Sequence, residues 1–135
     1  MKALCQPIQT EFMQFEQAFS QALAEDNTLI SNVLDYIHTK RGKQLRPILV
    51  LLSAAICKGV TDKTIQTAVS LELLHTASLV HDDVVDNSPM RRGVKAIQEQ
   101  WSNKIAILVG DYLLAKVIGL LAELRNTTIL GIVSE

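Results

Sequence analysis

Three aspartates stand at the end of an apolar run, in the segment "SLVHDDVVDNSPMRRG" from Ser78 to Gly93. On a helix, Asp82 and Asp86 share one face about 5.4 Å apart along the axis, and Asp83 points roughly 100° away. Like-charge repulsion and the helix C-terminal dipole each cost such carboxylates a few tenths to about 1 kcal/mol. Stability does not select this arrangement, whereas Mg²⁺ prefers carboxylate oxygens. The sequence therefore predicts a Mg²⁺ site at Asp82 and Asp86, with Asp83 supporting it from the side.

Four basic residues accompany the aspartates. Arg91 and Arg92 begin five residues after Asp86, and Lys43 and Arg46 lie in the earlier segment "GKQLRP". The planar fork of arginine suits phosphate, and lysine acts as a point charge. Mg²⁺ held by one or two carboxylates keeps coordination sites open for phosphate oxygens. Carboxylates and cations together predict a diphosphate-binding site that could take two anionic ligands.

Each of these features also has a commonplace interpretation. A surface aspartate cluster and an Arg-Arg pair are usually solvated, and His75 and His81 on an apolar helix are more often structural than functional. The features occur together and in this order within one chain. Their combination favours a binding site over a solvated surface.

Composition limits the class of protein. The 135 residues are 48% hydrophobic and 20% charged, which is typical of one globular domain, and the net charge of −1 gives no electrostatic case for binding nucleic acid. Cys5 and Cys57 lack metal-ligand spacing, so we expect reduced, buried thiols. No signal peptide and no run of ~18–20 apolar residues is evident. We expect a cytoplasmic protein without a transmembrane segment.

Apolar residues recur at helical spacing almost throughout, and no alternating strand pattern appears, so we expect an all-α fold. The segment Leu45–Cys57 is apolar on nearly every side and is predicted to be central. The next helix begins after a cap at Thr61 or Asp62 and must end before Pro89, and a loop follows. The other predicted helices carry Phe12, Phe15, Phe19 and Leu23; Leu29, Ile30, Val33, Leu34 and Ile37, capped by Asn27 or Thr28; the segment "NKIAILVGDYLLAKVIGLLAEL"; and "TTILGIVSE", capped by Thr127.

Three segments resemble the N-terminal half of the trans-isoprenyl diphosphate synthases. They are "GKQLRP" (Gly42 to Pro47), "ELLHTASLVHDDVVDNSPMRRG" (Glu72 to Gly93) and "LVGDYLLA" (Leu108 to Ala115). Within that family they look most like the bacterial medium- and long-chain enzymes, such as octaprenyl diphosphate synthases. The resemblance implies an antiparallel helical bundle around a deep hydrophobic cavity, usually homodimeric. It also implies Mg²⁺-dependent condensation of isopentenyl diphosphate with an allylic diphosphate such as farnesyl diphosphate.

The resemblance also assigns roles to individual residues. Asp82 and Asp86 would bind Mg²⁺ with Asp83 assisting, and Arg91 would hold the allylic diphosphate. The isopentenyl diphosphate would be held by Lys43, Arg46, His75 and Arg92.

Product length is set in this family about one turn before the first aspartate. Ala77 and Ser78 stand there and are too small to block a growing chain. We expect products of C30 to C50. Residues that could line the cavity deeper down, although core packing explains them equally well, are Leu114, Val117, Ile118 and Leu121.

The sequence departs from the family pattern in three ways. Gln44 replaces a frequent third cation, and Gln98 stands at a histidine position, which puts substrate affinity in question. The second aspartate-rich motif is absent, and the final predicted helix stops after about two turns. We therefore expect the N-terminal half of a single isoprenoid synthase domain, inactive by itself. Two alternatives are a non-catalytic small subunit of a heterodimeric synthase and a helical interaction domain with an acidic loop.

Overall fold

A computed structural model describes residues 6–40 and 42–134 of the chain. The described residues form seven α-helices and one short hairpin, which confirms the all-α prediction. After a 3-10 turn at Gln6–Ile8, the elements are α1 (Gln9–Leu23), α2 (Thr28–Thr39), α3 (Leu45–Cys57), α4 (Asp62–Val85), β1 (Met90–Arg91), β2 (Val94–Lys95), α5 (Ile97–Gln100), α6 (Asn103–Leu124) and α7 (Thr127–Ser134).

Helix α4 is the centre of the bundle and packs along α6, α3 and α1. The Gln66 side chain near the start of α4 donates to the Leu120 carbonyl near the end of α6, at 3.0 Å. At the opposite end, His81 Nε2 lies 3.3 Å from the Ile107 carbonyl oxygen. These two contacts make α4 and α6 antiparallel. Gly110 permits the second contact, because a Cβ there would overlap the His81 imidazole.

Side-chain caps fix where the helices begin. Asn27 caps α2 by accepting hydrogen bonds from two backbone N–H groups, and Thr61 caps α4 in a reciprocal capping box with Thr64. Both residues are among the caps that the sequence predicts. At α7 the cap lies one residue earlier than expected, because the side chain of Asn126 rather than Thr127 accepts the first N–H groups.

The prediction that Leu45–Cys57 is central is wrong. Only Pro47, Ile48 and Leu51 of α3 are buried, whereas the exposed fraction of Ile56 is 83%. Helix α3 has the predicted bounds but packs mainly on α4 with a single face. The expectation of buried thiols also fails at Cys57, which is exposed, and Cys5 lies outside the described residues.

Helix α6 is long and apolar enough, by length and composition, to cross a membrane. It nevertheless contributes buried residues along its whole length to the same core as α4, from Ala106 to Leu124. A core helix of a folded domain has the same composition, so α6 gives only weak support for a membrane span.

The predicted loop after α4 contains structure of its own. Met90 pairs with Lys95 and Arg91 with Val94, so two residues, Arg92 and Gly93, form the hairpin turn. The strands are too short to produce an alternating pattern in the sequence. The Tyr36 hydroxyl donates to the Lys95 carbonyl at 2.6 Å and ties the hairpin to α2.

Candidate functional site

The end of α4 presents Asp82 and Asp86 to solvent. Asp86 is the C-cap residue, and its N–H donates to the Asp82 carbonyl at 2.8 Å. Asn87 follows with a φ of 49°. Ser88 N–H donates to the Asp83 carbonyl at 2.9 Å, and Asn87 N–H to the Val84 carbonyl at 3.3 Å. These two bonds are a Schellman motif, which fixes the backbone on either side of Asp86.

Asp83 points inward, away from the two exposed carboxylates. Its exposed fraction is 4%, and Arg91 Nε lies 2.7 Å from both of its carboxylate oxygens. This bond, reinforced by the charges of Asp83, Asp82 and Asp86, raises the pKa of Arg91. The Asp83 side chain thus lies beside Arg91, which is predicted to bind phosphate, rather than beside Asp82 and Asp86. The catalytic role of Asp83 stays a prediction. The guanidinium has five N–H donors, so Arg91 keeps donors beyond those that the pair uses.

The hairpin turn brings Arg92 to the loop before α3. Arg92 and Gly93 have φ values of 52° and 80°, and a type I′ turn requires a positive φ at both positions. The guanidinium of Arg92 lies against Gly42, where a Cβ would overlap it. Gly42 therefore lets the "GKQLRP" segment meet the "RRG" segment, which are about 50 residues apart in sequence.

His75 lies where the predicted cations converge. Burial of the imidazole lowers the pKa of His75 below its ordinary value of 6.5. The charges of Arg46, Arg92 and Arg91 lower it further, in that order of effect. Asp82 acts in the opposite direction. Three arginines that the sequence assigns to diphosphate binding are therefore close enough to His75 to lower its pKa.

A cavity of about 90 Å³ opens beside these residues, between α4, the hairpin and α2. It combines an apolar floor with converging polar groups, as ligand sites do. Lys43 and Arg46 do not occur among the described residues that line it; both are exposed on the neighbouring loop and helix start. The polar side chains that line it include Glu72, His75, Asp83, Arg91 and Arg92, and the apolar ones include Phe19, Tyr36, Leu79, Val80 and Ile97.

Residues 27–135 match the sequence profile of the polyprenyl synthetase family. The chain belongs to that family. It is 38% identical over 125 residues to the all-trans-nonaprenyl-diphosphate synthase (geranyl-diphosphate specific) of Rhodobacter capsulatus, which covers 92% of this chain and 38% of the relative. It is 35% identical over 126 residues to heptaprenyl diphosphate synthase component 2 of Geobacillus stearothermophilus, which covers 93% of this chain and 39% of the relative.

A solved polyprenyl synthetase structure matches the fold as well. The polyprenyl synthase of Caulobacter crescentus CB15, complexed with calcium and isoprenyl diphosphate, superposes with a TM-score of 0.90 and 29% identity, which covers 97% of this chain and 40% of that one. The chain spans about two fifths of the length of these relatives.

The predicted chain-length residues of this family member occupy different environments. Ser78 is exposed one turn before Asp82, on the same face of α4, and its hydroxyl donates to the Leu74 carbonyl at 3.0 Å. Ala77 is fully buried in the core. Among the predicted wall residues, Leu114 is half-buried, Val117 and Leu121 are core residues, and Ile118 is 68% exposed.

Two residues of the site were missed by sequence reasoning. Glu72 is buried and lines the cavity one turn before His75, so helical periodicity could have indicated it. Gln98 was seen only as a departure from the family pattern. Its Nε2 donates to the carbonyls of Asp83 and Ser88, at 2.9 and 2.7 Å. No signal in the sequence links α5 to the end of α4.

The donor set fits a metal that is shared with a ligand. Within residues 6–40 and 42–134, no group of three or more His, Cys, Asp or Glu side chains could hold a metal ion. Asp82 and Asp86 are both exposed and one turn apart, whereas Asp83 is occupied by Arg91. Mg²⁺ commonly takes one or two carboxylates and completes its shell with water and phosphate oxygens. The two free carboxylates suit Mg²⁺ bound together with a diphosphate.

Proposed function

We propose that this chain is the diphosphate-binding part of a trans-prenyltransferase that condenses isopentenyl diphosphate with an allylic diphosphate, such as farnesyl diphosphate. The observation that carries the proposal is that His75, Arg91 and Arg92 line one cavity at the end of α4 that carries the exposed pair Asp82 and Asp86. Membership in the polyprenyl synthetase family supports it. The chain is a part of such an enzyme in this proposal, because it spans about two fifths of its relatives.

In this proposal the residues divide the two substrates between them. Asp82 and Asp86 would hold Mg²⁺, which supplies charge neutralisation to a departing diphosphate. Arg91, oriented by Asp83, donates to the allylic diphosphate beside the aspartates. The isopentenyl diphosphate would be held by His75 and Arg92, which line the cavity, together with Lys43 and Arg46 on the neighbouring loop and helix start.

The product in this proposal is a polyprenyl diphosphate of C30 to C50. Ser78 stands on the Asp82 face of α4 and is too small to stop a growing chain there. A relative named as a nonaprenyl-diphosphate synthase supports a product in this range. We further propose a cytoplasmic homodimer, and large exposed apolar side chains on α6, such as Leu108 and Ile118, support an apolar interface.

The second candidate function is a non-catalytic subunit of a two-component synthase. It is favoured by the relative whose name makes it component 2 of a heptaprenyl diphosphate synthase. A subunit that only shapes a cavity does not need the exposed carboxylates or the arginines. The polar set at the end of α4 therefore favours the substrate-binding function.

Calorimetric binding of a non-reactive farnesyl diphosphate analogue, with and without Mg²⁺, tests the proposal. The wild-type chain should bind in a Mg²⁺-dependent manner, and D82A and D86A should each lose that dependence. D35N, which removes an exposed carboxylate on α2, is the matched control and should bind as the wild type does. A folded wild-type chain that binds no analogue, or a D82A chain that binds equally well, would contradict the proposal.

A further inference from the structure

Gln98 joins two carbonyl groups across the end of α4. A glutamine carboxamide carries two N–H donors on one nitrogen. Gln98 Nε2 lies 2.9 Å from the Asp83 carbonyl oxygen and 2.7 Å from that of Ser88. Both partners can only accept, so the orientation of the amide is fixed by its neighbours, and both donors are used.

The two carbonyls are the two ends of the Schellman motif. Asp83 is the residue whose carbonyl accepts the Ser88 N–H, and Ser88 is the residue that donates it. Between them lies Asp86. A Schellman motif is commonly closed by a hydrophobic contact between these positions. In this protein a side chain from another helix bridges them instead.

Helix α5 is a firm support for this bridge. Ala96 N–H donates to the Pro89 carbonyl at 3.0 Å, and Ile97 is buried in the core. Tyr36 holds the preceding strand through the Lys95 carbonyl. Gln98 therefore starts from a short helix that is tied to α2 and to the residues that follow α4.

The bridge acts on the part of α4 that carries the acidic pair. Unpaired carbonyls at a helix C-terminus repel nearby carboxylates. The Asp83 carbonyl already accepts the Ser88 N–H, so the two Gln98 N–H donors add partial positive charge near the acidic pair and hold the 83–88 segment in one conformation. Preorganisation of this kind raises affinity because less order is lost on binding.

We propose that Gln98 is a positioning residue, which holds the end of α4 so that Asp82 and Asp86 can receive Mg²⁺ and a diphosphate together. The inference rests on the proposed function of this site. It differs from a purely structural role, in which Gln98 would only satisfy buried carbonyls and would affect every property of the site equally.

The test compares inorganic pyrophosphate binding with and without Mg²⁺ in the whole chain. Q98M keeps the length of the side chain but has no N–H donors, and it should lower the affinity measured with Mg²⁺ about tenfold. Binding without Mg²⁺ depends on His75 and the arginines and should change by less than about twofold. Q98H retains an N–H donor and should restore part of the loss. Q100M, at an exposed position of the same helix, is the control.

Hydrogen exchange gives a readout that needs no ligand. The Ser88 amide, which donates within the bridged segment, should exchange faster in Q98M than in the wild type and in Q100M. Equal losses of affinity with and without Mg²⁺, or unchanged Ser88 exchange, would overturn the inference. If the wild-type chain itself shows no Mg²⁺-dependent binding, the proposed function fails instead. Should Q98M not fold, Q98L, which also lacks N–H donors, makes the same comparison against Q100L.

Discussion

Arg91 and Asp83 form a bidentate ion pair at the base of the hairpin. Arg91 Nε lies 2.7 Å from both carboxylate oxygens, and a terminal guanidinium nitrogen lies 2.5 Å from one of them. The Asp83 side chain is only 6% exposed, so Arg91 rather than water stabilises its negative charge. One of the three aspartates is therefore an anchor for an arginine, and the other two are left for a ligand.

Removing Arg91 should destabilise the chain by about 1–3 kcal/mol, because it leaves a buried carboxylate without its partner. The free energy of unfolding from urea titration of R91A measures this. The double variant R91A/D83N should be more stable than the sum of the single variants predicts, since the unpaired charge is gone. Additive effects would mean that the two side chains do not depend on each other.

The exposed aspartates should behave in the opposite way. D82N and D86N each remove a negative charge from a helix C-terminus and should raise the free energy of unfolding by about 0.3–1 kcal/mol without Mg²⁺. D83N should lower it. With Mg²⁺ and pyrophosphate the wild type should gain stability through binding, and D82N and D86N should not. Thermal unfolding in both conditions tests this, and a destabilised D82N without ligand would contradict it.

The helices whose bounds the sequence predicts correctly have clear boundary signals at their starts. Leu45–Cys57 follows a basic segment that contains Gly42, and Asn103–Leu124 follows Ser102, whose side chain caps the helix. Where α3 lies could not be predicted, because local periodicity does not say which faces other elements cover. An all-round apolar helix is thus consistent with a central or a peripheral position.

The predicted site residues were identifiable by type, but their partners were not. The spacing shows that Asp83 points away from Asp82 and Asp86, yet only the hairpin determines that Arg91 lies in front of it. The sequence does contain one signal for the turn, because Gly93 directly after Arg92 suits a positive φ. Gln98 left none, because its contacts cross between two elements.

Arg92 combines backbone strain with a charge in the proposed site. A residue other than glycine in the left-handed region costs roughly 1–2 kcal/mol. R92A keeps that strain and loses the cation, whereas R92G loses both. R92G should therefore be more stable than R92A by about 1 kcal/mol, while both bind pyrophosphate equally weakly. Urea unfolding and calorimetry on the same samples check this, and equal stability of R92A and R92G would contradict the strained turn.

His75 should make the stability of the chain depend on pH. Its pKa is below 6.5 in the folded state, because of burial and then of Arg46, Arg92 and Arg91. Below pH 6.5 the unfolded state therefore binds more protons than the folded state, and acid favours unfolding. The wild type should lose more stability than H75Q between about pH 7.5 and about pH 5, and parallel curves would contradict the lowered pKa.

Diphosphate binding should reverse this shift, because its negative charge offsets the three guanidinium groups around His75. The wild type should then take up protons when it binds pyrophosphate near about pH 6.5. Calorimetry in two buffers of different ionisation enthalpy measures that uptake. H75Q is the control, since proton exchange by pyrophosphate itself and by the rest of the chain persists in it. Equal uptake by both proteins would mean that the anion binds away from His75. A smaller uptake by H75Q would place the phosphate charge beside the imidazole whose pKa burial and the three arginines lower.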